Sequence, residues 1–134
     1  MIDEREPGAL SESSTNRTVL VVDDDIGIRE LLTRSLSFEG FDVIGAANGL
    51  DALTQLRSGR RPSVIVLDLR MPVMDGWAFR IAQQADPKIA RIPVVILSGA
   101  DTHRFGEIDA VAALEKPVSL SLLADCLHRV LEHP

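Results

Sequence analysis

The sequence predicts a doubly wound α/β domain, in which helices cover both faces of a parallel sheet of five strands. From Thr18 onward, short apolar runs alternate with stretches of helical spacing, which is typical of successive strand–helix units. The apolar runs do not alternate strictly with polar residues, so they indicate strands buried on both sides. The 134 residues, 46% of them apolar, are enough for one such domain.

The first half of the chain holds two strand–helix units. The first strand is predicted over residues 18–23, and Gly40 ends the helix after it. One face of that helix is marked at helical spacing by Ile28, Leu31, Leu32, Ser35 and Leu36. The second strand is predicted over residues 41–46, and Asn48 is predicted to cap a second helix.

The second half supplies three more strands and the closing helix. These elements are a third strand over residues 63–67, a helix from 77 to about 86, a fourth strand over 94–97, a fifth over 111–115 and a helix capped by Ser119. The inward face of the closing helix is predicted to be Leu120, Leu123, Leu127, Val130 and Leu131. Cys126, the only cysteine, shares this stripe, so we expect a buried thiol and no internal disulfide.

Composition narrows the function classes. Residues 1–17 are rich in Ser, Glu and Gly and are predicted to form a flexible tail before a domain over residues 18–134. The net charge of −6 and the lack of a basic block disfavour direct nucleic-acid binding. The acidic N-terminus does not resemble a signal peptide, and no apolar stretch is long enough to span a membrane. We therefore expect a cytoplasmic protein without membrane insertion.

Acidic residues follow two of the predicted strands. Asp23 and Asp24 come after the first strand, and Asp68 comes after the third. Because the carboxyl ends of parallel strands open on one crevice, these side chains are predicted to converge. Like charges repel unless a cation joins them, and carboxylate oxygens suit Mg2+. The sequence therefore predicts a magnesium site.

Two further polar residues stand at the same predicted edge. Ser98 follows the fourth strand and Lys116, one of only two lysines, follows the fifth. A carboxylate can attack phosphorus and form an aspartyl phosphate if the charge of the phosphoryl group is neutralised. A metal, an ammonium group and a hydroxyl donor would together do this. The set of residues predicts phosphoryl transfer to an aspartate.

Four stretches resemble the receiver domain of two-component response regulators, and the resemblance covers about residues 18 to 132. They are Val21-Val22-Asp23-Asp24-Asp25, Leu67-Asp68-Leu69-Arg70-Met71-Pro72-Val73-Met74-Asp75-Gly76, Leu97-Ser98-Gly99-Ala100 and Leu114-Glu115-Lys116-Pro117. The resemblance implies a flavodoxin-like strand order, 2-1-3-4-5, an order for which a chemotaxis receiver is a known example. It also implies a phosphohistidine donor on a sensor histidine kinase or histidine phosphotransfer protein.

The resemblance assigns a role to each site residue. Asp68 would be the phosphoacceptor and a metal ligand, Asp24 a direct metal ligand and Asp23 a ligand through water. The backbone carbonyl of Arg70 would complete the protein's ligands for Mg2+, while Lys116 would pair with the phosphoryl group and Ser98 would hydrogen-bond it. The protein would be a stand-alone phosphoacceptor switch with self-catalysed transfer and autodephosphorylation, not a turnover enzyme. Its output would be protein contact or a phosphorelay, as a monomer or weak dimer.

Two other functions remain open. Asp23 and Asp25 have the spacing of a haloacid-dehalogenase-like phosphatase, although Ile26-Gly27 does not match the turn of that family. A receiver-shaped scaffold that binds partners unphosphorylated is the other. Structural roles are predicted for Asp25 as a helix cap and for Asp75 as a turn or cap residue. We interpret the three histidines, His103, His128 and His133, as structural or solvated.

The sequence departs from the receiver pattern in two places. Ala113 stands where receivers usually carry an aromatic residue that turns inward on phosphorylation. The segment between Ser98 and Lys116 is about one helical turn shorter than expected and contains Gly106. The helix between the fourth and fifth strands is therefore predicted to be short or mobile.

Overall fold

The computed structural model describes residues 17–99 and 108–132. Over these residues there are five strands, β1 Thr18–Val22, β2 Asp42–Ala46, β3 Val64–Asp68, β4 Val94–Ser98 and β5 Ala112–Glu115. The same residues form four helices, α1 Ile26–Phe38, α2 Gly49–Arg57, α3 Gly76–Gln84 and α4 Leu120–Glu132. The strand bounds differ from those predicted by one residue at some ends, which is the ordinary variation of strand and helix termini.

Several predictions fall on residues outside the described ranges. These are the flexible tail except for Arg17, the short helix between the fourth and fifth strands with Gly106, and the positions of His103 and His133. None of the described helices has the length and apolar character needed to cross a membrane.

All neighbouring strands of the sheet are parallel, in the order β2-β1-β3-β4-β5. This confirms the predicted doubly wound fold and its strand order. The register pairs Val22 with Leu67, and the next residue, Asp68, with Leu97. Residues that follow β1, β3, β4 and β5 are therefore brought to one edge of the sheet.

Two cores lie on opposite faces of the sheet. Leu20 and Val22 of β1 point to the core beneath α2 and α3, whereas Val19 and Val21 point to the core beneath α1 and α4. Every residue of β3 and β4 is buried, as predicted for central strands. The predicted core positions of the closing helix are confirmed, since each lies in or against the second core, and Cys126 is buried there.

Side-chain caps set where three helices begin. Asp25, Asn48 and Asp75 each accept a hydrogen bond from a backbone N–H three residues later. These contacts confirm the predicted cap at Asn48 and the structural roles predicted for the two aspartates. Ser119 Oγ accepts from the Leu122 N–H at 3.3 Å at the start of α4.

The predicted inward face of α1 is only partly correct. Leu32 and Leu36 are buried, but Ile28 is 37% exposed and Leu31 is 51% exposed. The two exposed residues lie on the flank of the helix that turns towards Lys116 and Pro117, where they line a groove of about 210 Å³. Helical spacing alone does not show how wide a stripe the neighbouring elements cover.

Candidate acidic site at the carboxyl ends of the strands

Three carboxylates meet at the edge where β1 and β3 end. Asp23, Asp24 and Asp68 each offer an oxygen, and these oxygens lie within 4.8 Å of one another. Asp23 and Asp68 are buried and Asp24 is exposed. The structure thus brings together the three acids that the sequence placed at strand ends, although their individual roles stay predictions.

These acids line a cavity of about 360 Å³. Its other lining residues are Asp25, Ile28, Leu69, Arg70, Gly99 and Lys116. Ser98 is only 2% exposed and does not line this cavity, whereas its neighbour Gly99 does. The Ser98 carbonyl accepts a hydrogen bond from the Lys116 N–H at 2.8 Å, which ties the ends of β4 and β5 together.

Asp23 is the most deeply buried acid of the site, at 1% exposure. Its Oδ1 accepts from the Asp25 N–H at 2.9 Å, but its buried Oδ2 has no hydrogen-bond partner. Burial raises the pKa of Asp23, and the charges of Asp68 and Asp24 add to this, against the opposing effects of the Asp25 N–H and Lys116. A buried carboxylate oxygen without a donor is costly, and a cation is a natural partner for it.

Lys116 provides the positive charge of the site. Its Nζ lies 3.0 Å from Asp68 Oδ1 and 3.8 Å from Asp23 Oδ2. Burial works against the charged form, but the hydrogen bond to Asp68 and the charges of the three acids outweigh it, so the pKa of Lys116 is raised. Lys116 is therefore an ammonium group at neutral pH, held directly against the side chain of Asp68.

The loop after Asp68 is fixed by the pair Asp75-Gly76. Asp75 caps α3 through the Ala78 N–H, and the Gly76 N–H donates to the Leu69 carbonyl at 2.9 Å. A Cβ at Gly76 would lie 2.8 Å from Leu69 Cα and 2.9 Å from the Asp68 carbonyl oxygen. Because only glycine fits so close to this backbone, the pair holds α3 against the end of β3.

Arg29 also contacts the site, and the sequence did not predict this contact. The guanidinium Nη1 of Arg29 donates to the Asp23 carbonyl at 2.6 Å. An arginine on a helix surface is ordinary in sequence, and nothing in its spacing indicated this contact. The left-handed backbone of Val73, which has a φ of 70° in the loop after Asp68, was not predicted either.

The donor set fits Mg2+. Three carboxylates offer oxygens within 4.8 Å of one another, and one of those side chains has a buried oxygen without a protein partner. Mg2+ prefers oxygen ligands and is commonly held by only one or two carboxylates together with water. The exposure of Asp24 and the open cavity are compatible with a partly hydrated ion.

Comparisons with known proteins agree with this architecture. The family model "Response regulator receiver domain" matches residues 19–128. Response regulator MprA of Mycobacterium sp. (strain KMS) is 39% identical over 109 residues, which are 78% of this chain and 46% of that protein. MprA of Mycobacterium tuberculosis (strain ATCC 25177 / H37Ra) gives the same identity and coverage. The chain thus spans about half the length of the curated relatives it matches.

Solved structures with the same fold include two from signalling proteins. The signal receiver domain of a signal transduction histidine kinase from Syntrophus aciditrophicus has a TM-score of 0.80 and 30% identity, covering 86% of this chain and 89% of that one. The chemotaxis response regulator CheY4 of Vibrio cholerae has a TM-score of 0.75 and 32% identity, covering 84% of this chain and 97% of that one. The chain belongs to the response regulator receiver domain family of two-component signalling.

Proposed function

We propose that Asp68 accepts a phosphoryl group from a phosphohistidine in a Mg2+-dependent reaction. The observation that carries this proposal is the placement of Asp68 3.0 Å from the Lys116 ammonium, with two further carboxylates beside it. A lone buried acid next to a lysine would be an ordinary ion pair. The additional acids leave the site short of positive charge, which a divalent ion can supply.

The chemistry follows from the residues present. An oxygen of Asp68 attacks phosphorus as the bond between phosphorus and the imidazole nitrogen breaks, and the imidazole leaves with the electron pair. Lys116 neutralises charge on the transferring group, and the Ser98 hydroxyl is proposed as a donor to it. Mg2+, held by Asp24, Asp68, the Arg70 carbonyl and, through water, Asp23, would supply positive charge to the phosphoryl oxygens.

A protein donor is supported by the apolar groove beside the site. Ile28 and Lys116 line both the acidic cavity and the groove that runs along α1, and Leu31 extends the groove's exposed apolar surface. A small phosphate ester would not need such a surface, whereas a protein carrying a phosphohistidine can bury it. We therefore propose a sensor histidine kinase or histidine phosphotransfer protein as the donor.

The structure gives a reason to favour a switch over a phosphatase. In a haloacid-dehalogenase-like reaction Asp25 would act as acid or base, but its Oδ1 accepts from the Ile28 N–H as the cap of α1. Asp68 would instead hold the phosphoryl group until water removes it. We propose that the phosphorylated state is relayed by protein contact or onward transfer, without an aromatic switch, because Ala113 occupies that position on β5.

Intact-mass spectrometry with Mg2+ and acetyl phosphate, or with a phosphorylated kinase, tests this function. The wild-type protein should gain one phosphoryl group, and removal of Mg2+ or the substitution Asp68→Asn should abolish the gain. Asp75→Asn is the matched control, because it makes the same chemical change at a helix cap outside the acidic cavity. It should leave phosphorylation intact.

Two other outcomes would contradict the proposal. Phosphorylation that persists in Asp68→Asn would place the acceptor elsewhere in the chain. A wild-type protein that stays unmodified with every donor would support the scaffold function, and multiple turnover of a phosphomonoester would support the phosphatase.

A further inference from the structure

Arg29 contacts the acidic site without lining its cavity. It lies in the first turn of α1, where its own N–H donates to the Asp25 carbonyl at 2.9 Å. Its side chain runs back to the end of β1 and donates from Nη1 to the Asp23 carbonyl at 2.6 Å. Arg29 therefore contacts the backbone of a site residue, while its charged end does not line the cavity where the carboxylates meet.

Gly45 defines the path of this side chain. A Cβ at Gly45 would lie 3.2 Å from Arg29 Cδ and 3.5 Å from Arg29 Cγ. The aliphatic stem of Arg29 thus packs closely on the backbone of the edge strand β2. The supported stem carries the guanidinium group to Asp23, and the planar group holds its N–H donors in a rigid arrangement that suits a fixed hydrogen bond.

Asp23 is held at three points. Its N–H donates to the Ala46 carbonyl at 3.1 Å, its Oδ1 accepts from the Asp25 N–H and its carbonyl accepts from Arg29. The bond to Ala46 fixes the end of the strand, and the bond from the Asp25 N–H fixes the carboxylate. The bond from Arg29 fixes the peptide that joins Asp23 to Asp24, and this peptide sets the direction in which Asp24 leaves β1.

We propose that Arg29 is a positioning residue for the divalent cation, and this proposal rests on the Mg2+-dependent function proposed above. By holding the Asp23–Asp24 peptide, Arg29 keeps the two carboxylates directed at the position of the ion. Residues that orient metal ligands without touching the metal commonly change metal affinity when they are replaced.

The sign of the effect distinguishes this role from a simple charge effect. Arg29 is a cation close to the carboxylates, so its charge alone opposes the binding of Mg2+. If Arg29 acted only through its charge, its removal would tighten Mg2+ binding. If it positions the carboxylates, its removal weakens Mg2+ binding.

Isothermal titration calorimetry on the full chain measures the affinity for Mg2+ and decides between these two roles. Arg29→Met, which keeps an apolar stem and removes the donors, should weaken Mg2+ binding about 10-fold. Arg29→Lys keeps the charge and a donor and should restore part of the affinity. Arg34→Met is the matched control, because it removes the same charge from an exposed position on the same helix, and it should leave affinity unchanged or slightly tighter.

Gly45→Ala tests the geometry without a change in charge. The added methyl group pushes the stem of Arg29 by a few tenths of an ångström, so Mg2+ binding should weaken, but by less than in Arg29→Met. Circular dichroism at the assay temperature confirms that each variant is folded. Binding by Arg29→Met that equals or exceeds that of the wild type would overturn the proposal.

A second readout needs no metal and separates this proposal from the function on which it rests. The Asp25 amide donates to Asp23 Oδ1, so its NMR chemical shift reports the position of that carboxylate. In the metal-free protein, Arg29→Met should shift this amide resonance and Arg34→Met should not. If the wild type fails to bind Mg2+ the proposed function is wrong, whereas an unmoved Asp25 resonance in Arg29→Met refutes the positioning role itself.

Discussion

Two buried polar clusters at different ends of the molecule show opposite designs. In the C-terminal half of α3, Arg80 Nε donates to the Asp109 carbonyl at 2.8 Å, and Arg80 Nη1 donates to Gln83 Oε1 at 2.8 Å. Gln83 Nε2 donates in turn to the carbonyls of Ile89 and Ile92. At the strand ends, by contrast, three carboxylates crowd together and the buried Asp23 Oδ2 accepts no hydrogen bond.

The two clusters differ in whether their buried polar groups are satisfied within the protein or are available to a ligand. The Arg80–Gln83 cluster pairs its donors with three backbone carbonyls and with the Gln83 amide oxygen. It joins α3, the connection to β4 and the residues before β5. Such a satisfied network stabilises the folded state. The acidic site leaves an acceptor unsatisfied and raises the pKa of Asp23, which costs stability unless a ligand arrives.

The largest effect on stability is expected from Gln83→Ala. This change removes the partner of Arg80 Nη1 and of two backbone carbonyls, and it leaves a cavity at a buried position. The free energy of unfolding should fall by about 3 kcal/mol. Urea or thermal unfolding measures this loss, and the folded fraction should still accept a phosphoryl group.

Gln84→Ala is the control for Gln83→Ala. Gln84 is the next residue of α3 but is exposed, so its replacement should change stability by less than about 0.5 kcal/mol. Equal losses in the two variants would mean that the cluster at Gln83 is not the source of the stability, and the contrast between the two ends of the molecule would fail.

A smaller effect of opposite sign is expected from Asp23→Asn. The folded-state pKa of Asp23 is raised, so the folded protein binds this proton more tightly than the unfolded chain does. Stability from this group is present below the unfolded pKa and is lost as pH rises through the folded pKa. At neutral pH, Asp23→Asn should therefore raise the stability of the metal-free protein, by less than Gln83→Ala lowers it.

With Mg2+ present, the wild type should become more stable than Asp23→Asn. The ion stabilises the wild type by binding only to the folded state, and Asp23→Asn should lose most of that stabilisation. Thermal unfolding from mildly acidic to neutral pH, with and without Mg2+, measures both effects. A metal-free Asp23→Asn protein that is less stable than the wild type at neutral pH would contradict the assignment of Asp23 as a costly buried charge.

The sequence predicted the fold well because the central strands of the sheet are buried on both faces. Every central strand is an apolar run, and the residues just after the runs are polar, so both the strands and the convergence of Asp23 and Asp68 follow from one pattern. The face of α1 was less predictable. Ile28 and Leu31 have the spacing of core residues, yet they lie beside a groove that no neighbouring described element fills.

Contacts to backbone carbonyls could not be predicted from the sequence. Arg29 and the pair of Arg80 and Gln83 look like surface residues of amphipathic helices, and their partners are carbonyls in other elements. Every residue has a backbone carbonyl, so the composition and the spacing of residues do not indicate which carbonyl will accept such a bond. Only the three-dimensional path of the chain places donor and acceptor together.

The backbone at Val73 was also unpredictable, and it provides the smallest test of the contrast. Val73 has a φ of 70°, in the left-handed region that a β-branched residue rarely adopts, and the residue is 77% exposed. Val73→Gly should relieve this strain and raise the free energy of unfolding by about 0.5 kcal/mol. The gain is this small because it is partly offset by the greater entropy of glycine in the unfolded chain.

Val73→Ala is the control, because it removes most of the exposed side chain but keeps the Cβ. Its urea midpoint should stay close to that of the wild type. If alanine stabilises as much as glycine, the exposed side chain rather than the backbone is the cause, and the backbone at Val73 does not store strain in the loop after Asp68.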